Sequence, residues 1–282
     1  MTRIILNVDA GDQPAAKSAR DDPSVMPSAV FELHDQLGEI VIDNPPLNLF
    51  SAGLIADLRG AADEAAASAA RAVLLRAEGD AFSAGADVSI FTGPDEAEAG
   101  ALMTEALALI GAIEDIPVPT VALVRGRCFA GALEVALACD LIWAAAGTQI
   151  GQVEAVIGAF PFAGGTQRLA SRIGAARTAQ MVYGASVHSA EELAGWGLVS
   201  HVTTPELLLD EGRAFATHLA LGPTLAHRAT KHILRAWRSG GVPGADEVTR
   251  AEGPAVILSQ DLQEGVVSLR RSGPGHATFN NR

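Results

Sequence analysis

The chain is short of cysteine, short of basic residues for its acidity, and without a long apolar run. Two cysteines, Cys128 and Cys139, stand in 282 residues. That is too few for a disulfide framework, and both read as small buried hydrophobes. Against 33 Asp and Glu there are 20 Lys and Arg, a net charge of −13. So acidic a chain lacks the basic footprint that sequence-independent nucleic-acid binding needs. An anionic ligand must then be held locally, by a few cations or by backbone N–H groups. The 7 histidines are scattered, none at a metal-ligand spacing from another His or Cys, so no metal is expected. The run ALALIGAI at 106–113 is flanked by Glu105, Glu114 and Asp115 and is too short to span a membrane. The opening MTRIILNVDAGDQ has too brief an apolar stretch for a signal-peptide core. These absences lead to the expectation of a soluble, cytoplasmic protein.

What is present suits a globular chain. Hydrophobic residues make up 49%, and the length allows one large domain or two small ones. Residues 1–28 are expected to form a flexible tail, because 9–28 are polar and broken by prolines. Strands are expected at 37–44, 71–78, 120–126 and 141–147. Helices are expected at 51–69, with Ser51 as N-cap, at 95–115, and from Gly131 to Asp140. This alternation predicts an α/β or mixed-layer core over 29–204. Strand signals stop near 205. Helices are expected at 205–221, 223–239 and 244–271, opened by Pro205, Pro223 and Pro243, within a helical region spanning 205–282.

Three Gly-rich segments carry the candidate chemistry: FSAGADVS at 82–89, RGRCFAGALE at 125–134, and GQVEAVIGAFPFAGGTQRL at 151–169. A Gly-rich turn entering a helix leaves backbone N–H groups without intrahelical partners. Two such turns side by side can aim two donors at one oxygen. None of the three fits the dinucleotide or P-loop pattern. Glu134 and Glu154 each lie in one of these segments among apolar neighbours. Taken alone, Glu134 suits an outward helix face as well as a buried site. Two carboxylates beside an oxyanion hole would make an acid/base pair, with repulsion and desolvation keeping one protonated.

The ordered run FSAGADVS, AGALEVALACD, GQVEAVIG with FPFAGGTQRL, and AEELAGWGLVSHV resembles the enoyl-CoA hydratase/isomerase (crotonase) family from about residue 31 to 270. The resemblance implies an α/β spiral of strand-strand-helix units with a C-terminal helical oligomerisation region. It implies a homo-oligomer, a trimer or a dimer of trimers, and a coenzyme A thioester as substrate, with no separate cofactor. It assigns the oxyanion N–H groups to Ala84 and Gly131 and the catalytic carboxylates to Glu134 and Glu154. It puts substrate and coenzyme A contacts at Ala84, Gly85, Ala86, Asp87 and Val88, with Phe160 and Phe162 shaping the acyl pocket. Retention of both glutamates suggests hydration of an enoyl-CoA to a 3-hydroxyacyl-CoA. Isomerisation, thioester hydrolysis, decarboxylation and a catalytically silent assembly role are the alternatives. Two positions depart from the family pattern. Phe162 stands where glycine is frequent, at a backbone N–H that helps position water in hydratases. At 264–275, EGVVSLRRSGPG has Leu269 for an aromatic and Ser272 for a lysine that can help hold coenzyme A.

Overall fold

A computed structural model describes residues 26–280, so all but the last residues of the expected tail lie outside the described residues. Among the described residues the first elements are the hairpin β1 (Ala29–His34) and β2 (Leu37–Ile42), followed by α1 (Ala52–Ala67) and β3 (Ala72–Ala77). A 3-10 turn, Val88–Phe91, leads to α2 (Glu96–Asp115). Next come β4 (Thr120–Val124), β5 (Arg127–Phe129) and α3 (Gly131–Ala138), then β6 (Leu141–Ala145) and β7 (Gln149–Gly151). A second 3-10 turn, Glu154–Ile157, precedes α4 (Gly165–Ile173) and α5 (Ala175–Gly184). After β8 (Val187–Ser189), α6 (Ala190–Gly195) and β9 (His201–Thr203), the chain ends in α7 (Leu208–Ala220), α8 (Thr224–Leu258) and α9 (Gln260–Ser272).

Local chemistry explains these boundaries. The Ser51 hydroxyl accepts from the Leu54 N–H at 3.2 Å and starts α1. Asp95 and Glu98 form a reciprocal capping box at the start of α2. All six residues of β2 are buried, as suits a strand covered on both faces. The edge strand β1 was not expected, for its outer half, Glu32–His34, is exposed and carries little apolar signal. Pro205 lies in a turn closed by the Leu207 N–H on the Thr204 carbonyl, so α7 begins three residues late. The helix expected over 244–271 is divided at Ser259, whose hydroxyl accepts from the Leu262 N–H and starts α9. Its first half continues α8 across a break at Gly241, where φ is +60°.

Two sheets build the core. The larger runs β1-β2-β3-β4-β6-β9, parallel except for the β1–β2 pair; the smaller runs β5-β7-β8. Twice the chain passes from the large sheet to the small sheet and then to a helix, as β4-β5-α3 and β6-β7-α4. An isolated Ser83–Cys128 bridge gives the segment after β3 the same route. These are the strand-strand-helix units of a spiral, as the resemblance implies. The main apolar core fills the space between the large sheet, α1, α2 and α3. A smaller cluster seals the other face beneath α7, through Leu74, Leu123, Leu208 and Ala216. Cys128 and Cys139 are free and buried, and burial pushes both thiols up. Among the described residues no helix is long and apolar enough to cross a membrane, and no three His, Cys, Asp or Glu side chains gather as a metal site requires.

Candidate active site

Helix α3 begins at a forced turn. Ala130 has φ +52°, and its N–H donates to the Gly151 carbonyl at 2.9 Å, fastening the end of β7 to the start of the helix. From Ala132 to Ala138 every residue of α3 is buried, and Glu134 is among them at 3% exposure. Its Oε1 accepts from the Gly165 N–H at 2.7 Å, at the first residue of α4. The carboxyl is pushed up to about 7, because burial outweighs the Gly165 and Ala163 N–H groups and the Arg168 charge. Arg168 reaches back to the Gly164 carbonyl at 3.2 Å while Glu114 grips it at 3.1 and 2.7 Å. That grip steadies the turn that supplies the Gly165 donor.

Glu154 opens the second 3-10 turn and is also buried. Its carboxyl is pushed up to about 7, by burial first, with the charge of Glu134 adding to it. The Gln152 amide lies 2.7 and 3.0 Å from the two Glu154 oxygens; with its nitrogen turned to the carboxylate it donates to both. Gly165 ties the two glutamates together. A Cβ placed there would stand 2.5 Å from the Gln152 amide and 3.0 Å from Glu134 Cγ and from Pro161 Cβ. Only a residue without a side chain fits between them.

The segment after β3 lies across the start of α3. Gly85 has φ +103°, and a Cβ there would be 3.0 Å from the Phe129 carbonyl and 3.1 Å from Ala130 Cβ. The Ala84 N–H, expected to be an oxyanion donor, is engaged by the Leu47 carbonyl at 3.0 Å. Phe50 donates to the Gly85 carbonyl and accepts from the Asp87 N–H, which leaves the Ala86 N–H between them without a partner among the described residues. The Gly131 N–H, in the first turn of α3, is equally unpartnered. Glu134 Oε2 faces this side, 4.0 Å from a Cβ placed at Gly131. Asp87 accepts from the Ser89 N–H at 2.9 Å, and Val88 is exposed. Phe160 and Phe162 meet edge-on at 4.6 Å, and Phe91 adds a third ring 5.6 Å from Phe162.

The structure thus brings Glu134, Glu154, Gly131 and the 84–88 segment to one place. Sequence reading named neither Gln152 nor Gly165, although both stand inside the motifs it quoted. Phe91 and Asn48 gave no signal. Asn48 is buried with φ +51°, and its side chain joins Asn44, Glu78 and Ala81 at 2.7, 3.0 and 2.9 Å. Those bonds hold the 47–50 segment that clamps Ala84 and Asp87.

Residues 32–267 match the family described as enoyl-CoA hydratase/isomerase. The chain is 32% identical to a protein of Rhodobacter capsulatus named probable enoyl-CoA hydratase, over 88% of this chain and 96% of that one. It is 31% identical to the crotonyl-CoA hydratase of Syntrophomonas wolfei, over 85% and 94%. The crystal structure of an enoyl-CoA hydratase from Bacillus anthracis superimposes with a TM-score of 0.84 over 90% of this chain and 100% of that one; at 24% identity it speaks for the fold.

Proposed function

The chain belongs to the enoyl-CoA hydratase/isomerase (crotonase) family of acyl-CoA enzymes, and from that premise we propose that it adds water across the α,β double bond of an enoyl-CoA thioester. The observation that carries this reading is the pair of buried carboxylates, Glu134 and Glu154, both pushed up to about 7 and linked through Gly165 and Gln152. Near neutral pH such a pair holds about one proton between them, so one member accepts while the other donates.

The unpartnered N–H groups of Ala86 and Gly131 receive the thioester oxygen. As water adds, that oxygen gains enolate character, and fixed donors stabilise it at about 2.7–4 kcal/mol each. Glu134, as base, takes a proton from the water that attacks Cβ. Glu154 gives its proton to Cα, and the Gln152 amide steadies the carboxylate left behind. The net change is one water consumed and one 3-hydroxyacyl thioester formed. Ala84, Gly85, Asp87 and Val88 keep a role as the wall along which the coenzyme A moiety lies. The apolar side chains exposed on α8 and α9, among them Leu234, Trp237, Ile257 and Leu258, support a homo-oligomer, a trimer or a dimer of trimers.

Incubation with crotonyl-CoA tests the reading. Loss of the conjugated enoyl absorbance, with 3-hydroxybutyryl-CoA as product, is the expected result. Free coenzyme A, released carbon dioxide or a shifted double bond as the sole product would turn the reading to one of the other reactions of this family. Binding without any turnover would leave an assembly role.

A further inference from the structure

Of the 9 phenylalanines in the chain, Phe91, Phe160 and Phe162 meet in one cluster, and they come from two different segments. Phe91 closes the 3-10 turn Val88–Phe91, which continues directly from Ala86 and Asp87. Phe162 stands between Pro161, which crowds Gly165, and Ala163, whose N–H faces Glu134. The Phe91 and Phe162 ring centroids are 5.6 Å apart at 53°, a favourable tilted contact. Phe160 packs on the same ring at 4.6 Å and 69° and is itself 62% exposed, so it marks the outer end of the trio. Phe162 is the half-buried middle ring.

The order of groups gives these rings a place relative to the substrate. A thioester carbonyl on the Ala86 and Gly131 donors puts Cα and Cβ at Glu134 and Glu154. For a carbonyl so placed, the carbons beyond Cβ would run past Gly165 and Pro161, toward the Phe162 ring. Phe91, on the segment that carries the Ala86 N–H, packs against that ring. A long acyl chain on this path would have to part the two segments that the contact joins. We propose that Phe91 and Phe162 form the end wall of the acyl site and make this a short-chain acyl-CoA enzyme. The inference rests on the acyl-CoA reading above and adds the substrate class and the residue Phe91.

Saturated thioesters cannot be hydrated, so their binding reports the wall independently of the chemistry. Calorimetry with butyryl-CoA and dodecanoyl-CoA compares the parent with Phe91→Ala and Phe91→Leu, each checked by circular dichroism for a native fold. The parent is expected to bind butyryl-CoA at least as tightly as dodecanoyl-CoA, although added methylenes normally favour the longer chain. Phe91→Ala is expected to move the affinity ratio toward dodecanoyl-CoA by about tenfold or more, and Phe91→Leu by less. A parent that already prefers dodecanoyl-CoA by about tenfold, or a ratio unchanged in both variants, overturns the wall. A shifted ratio in a protein that hydrates no enoyl-CoA would sink the hydratase reading and leave the wall standing. An unshifted ratio in an active hydratase would do the reverse.

Discussion

Glu39 and Glu134 are almost equally buried, at 1% and 3% exposure, yet the protein drives them in opposite directions. Glu39 sits on β2 between two arginines. Arg213 donates to it at 2.6 and 2.9 Å and Arg76 at 2.8 Å. Burial alone would raise its carboxyl, but the hydrogen bonds and charges of Arg213 and Arg76 bring it below its ordinary value. Glu134 has only backbone N–H groups and the charge of Arg168 to offset burial, and it is pushed up to about 7. The difference is one of partners. Fully paired, a buried glutamate is a permanent anion that locks β2, β3 and α7 together. Under-paired, it can take up and release a proton at neutral pH, as a catalytic group must.

The widest separation between the two regions is expected in catalysis. Glu134→Gln and Glu154→Gln should each lower enoyl-CoA hydration by about 10²–10⁴-fold in kcat, and the double variant should be little worse than the weaker single. Glu39→Gln, measured beside them, should keep kcat within about threefold of the parent, because it lies outside the acid/base pair. Equal losses in all three would erase the distinction. Stability should rank the residues the other way. Glu39→Gln removes the carboxylate that Arg76 and Arg213 share and should cost about 3 kcal/mol in urea unfolding, at the low end for a broken buried pair because Arg213 is partly exposed and Arg76 keeps Glu78.

The pH dependence sharpens the contrast through its sign. Glu134 and Glu154 titrate higher in the folded chain than the ordinary 4.5, so the folded state binds more protons between about 4.5 and about 7. Their contribution to stability is most favourable below 4.5 and is lost as pH rises through that window. Glu134→Gln should therefore be more stable to unfolding than the parent at pH 8, by on the order of 1–3 kcal/mol, and this gain should vanish near pH 4.5. Glu39 titrates lower when folded, so its contribution is present above its ordinary value and lost in acid. The deficit of Glu39→Gln should accordingly be largest at neutral pH and shrink as pH falls. Parallel slopes for the two variants would refute the assignment of opposite surroundings.

The smallest effect is expected from Asn48, which holds the loop beside the free Ala86 N–H. Asn48→Ala frees the 47–50 segment, and with it the backbone that leaves the Ala86 N–H open. A drop of about tenfold in kcat with little change in KM is expected, since a misplaced donor weakens the transition state more than binding. A rise in KM alone would show that Asn48 serves only the wall of the coenzyme A site.

Much of the fold was legible because its signals are local. Runs such as RAVLLRAE and TVALVRG sit where β3 and β4 form, and Ser51 caps α1. The three-residue strands β5, β7, β8 and β9 gave no such signal, since each is defined by its neighbours in the sheet and not by its own composition. At the site, Glu134 and Glu154 stood out as charges among apolar residues. Which of Ala84 and Ala86 keeps a free N–H could not be read from FSAGAD, for both are alanines and the outcome depends on which N–H the 47–50 segment consumes.

The sequence by itself determined the family and the main core strands and singled out the two glutamates, because periodicity, capping and ordered motifs are written along the chain. Only the tertiary structure decided which buried carboxylate is silenced by arginines and which is left to titrate. It also decided which backbone N–H stays free, and that Phe91 meets Phe162. Each of these depends on groups far apart in sequence: Glu39 and Arg213, Leu47 and Ala84, Phe91 and Phe162. Hydrogen bonds, desolvation and ring contacts act over a few ångströms in space, a distance that spacing along the chain does not encode.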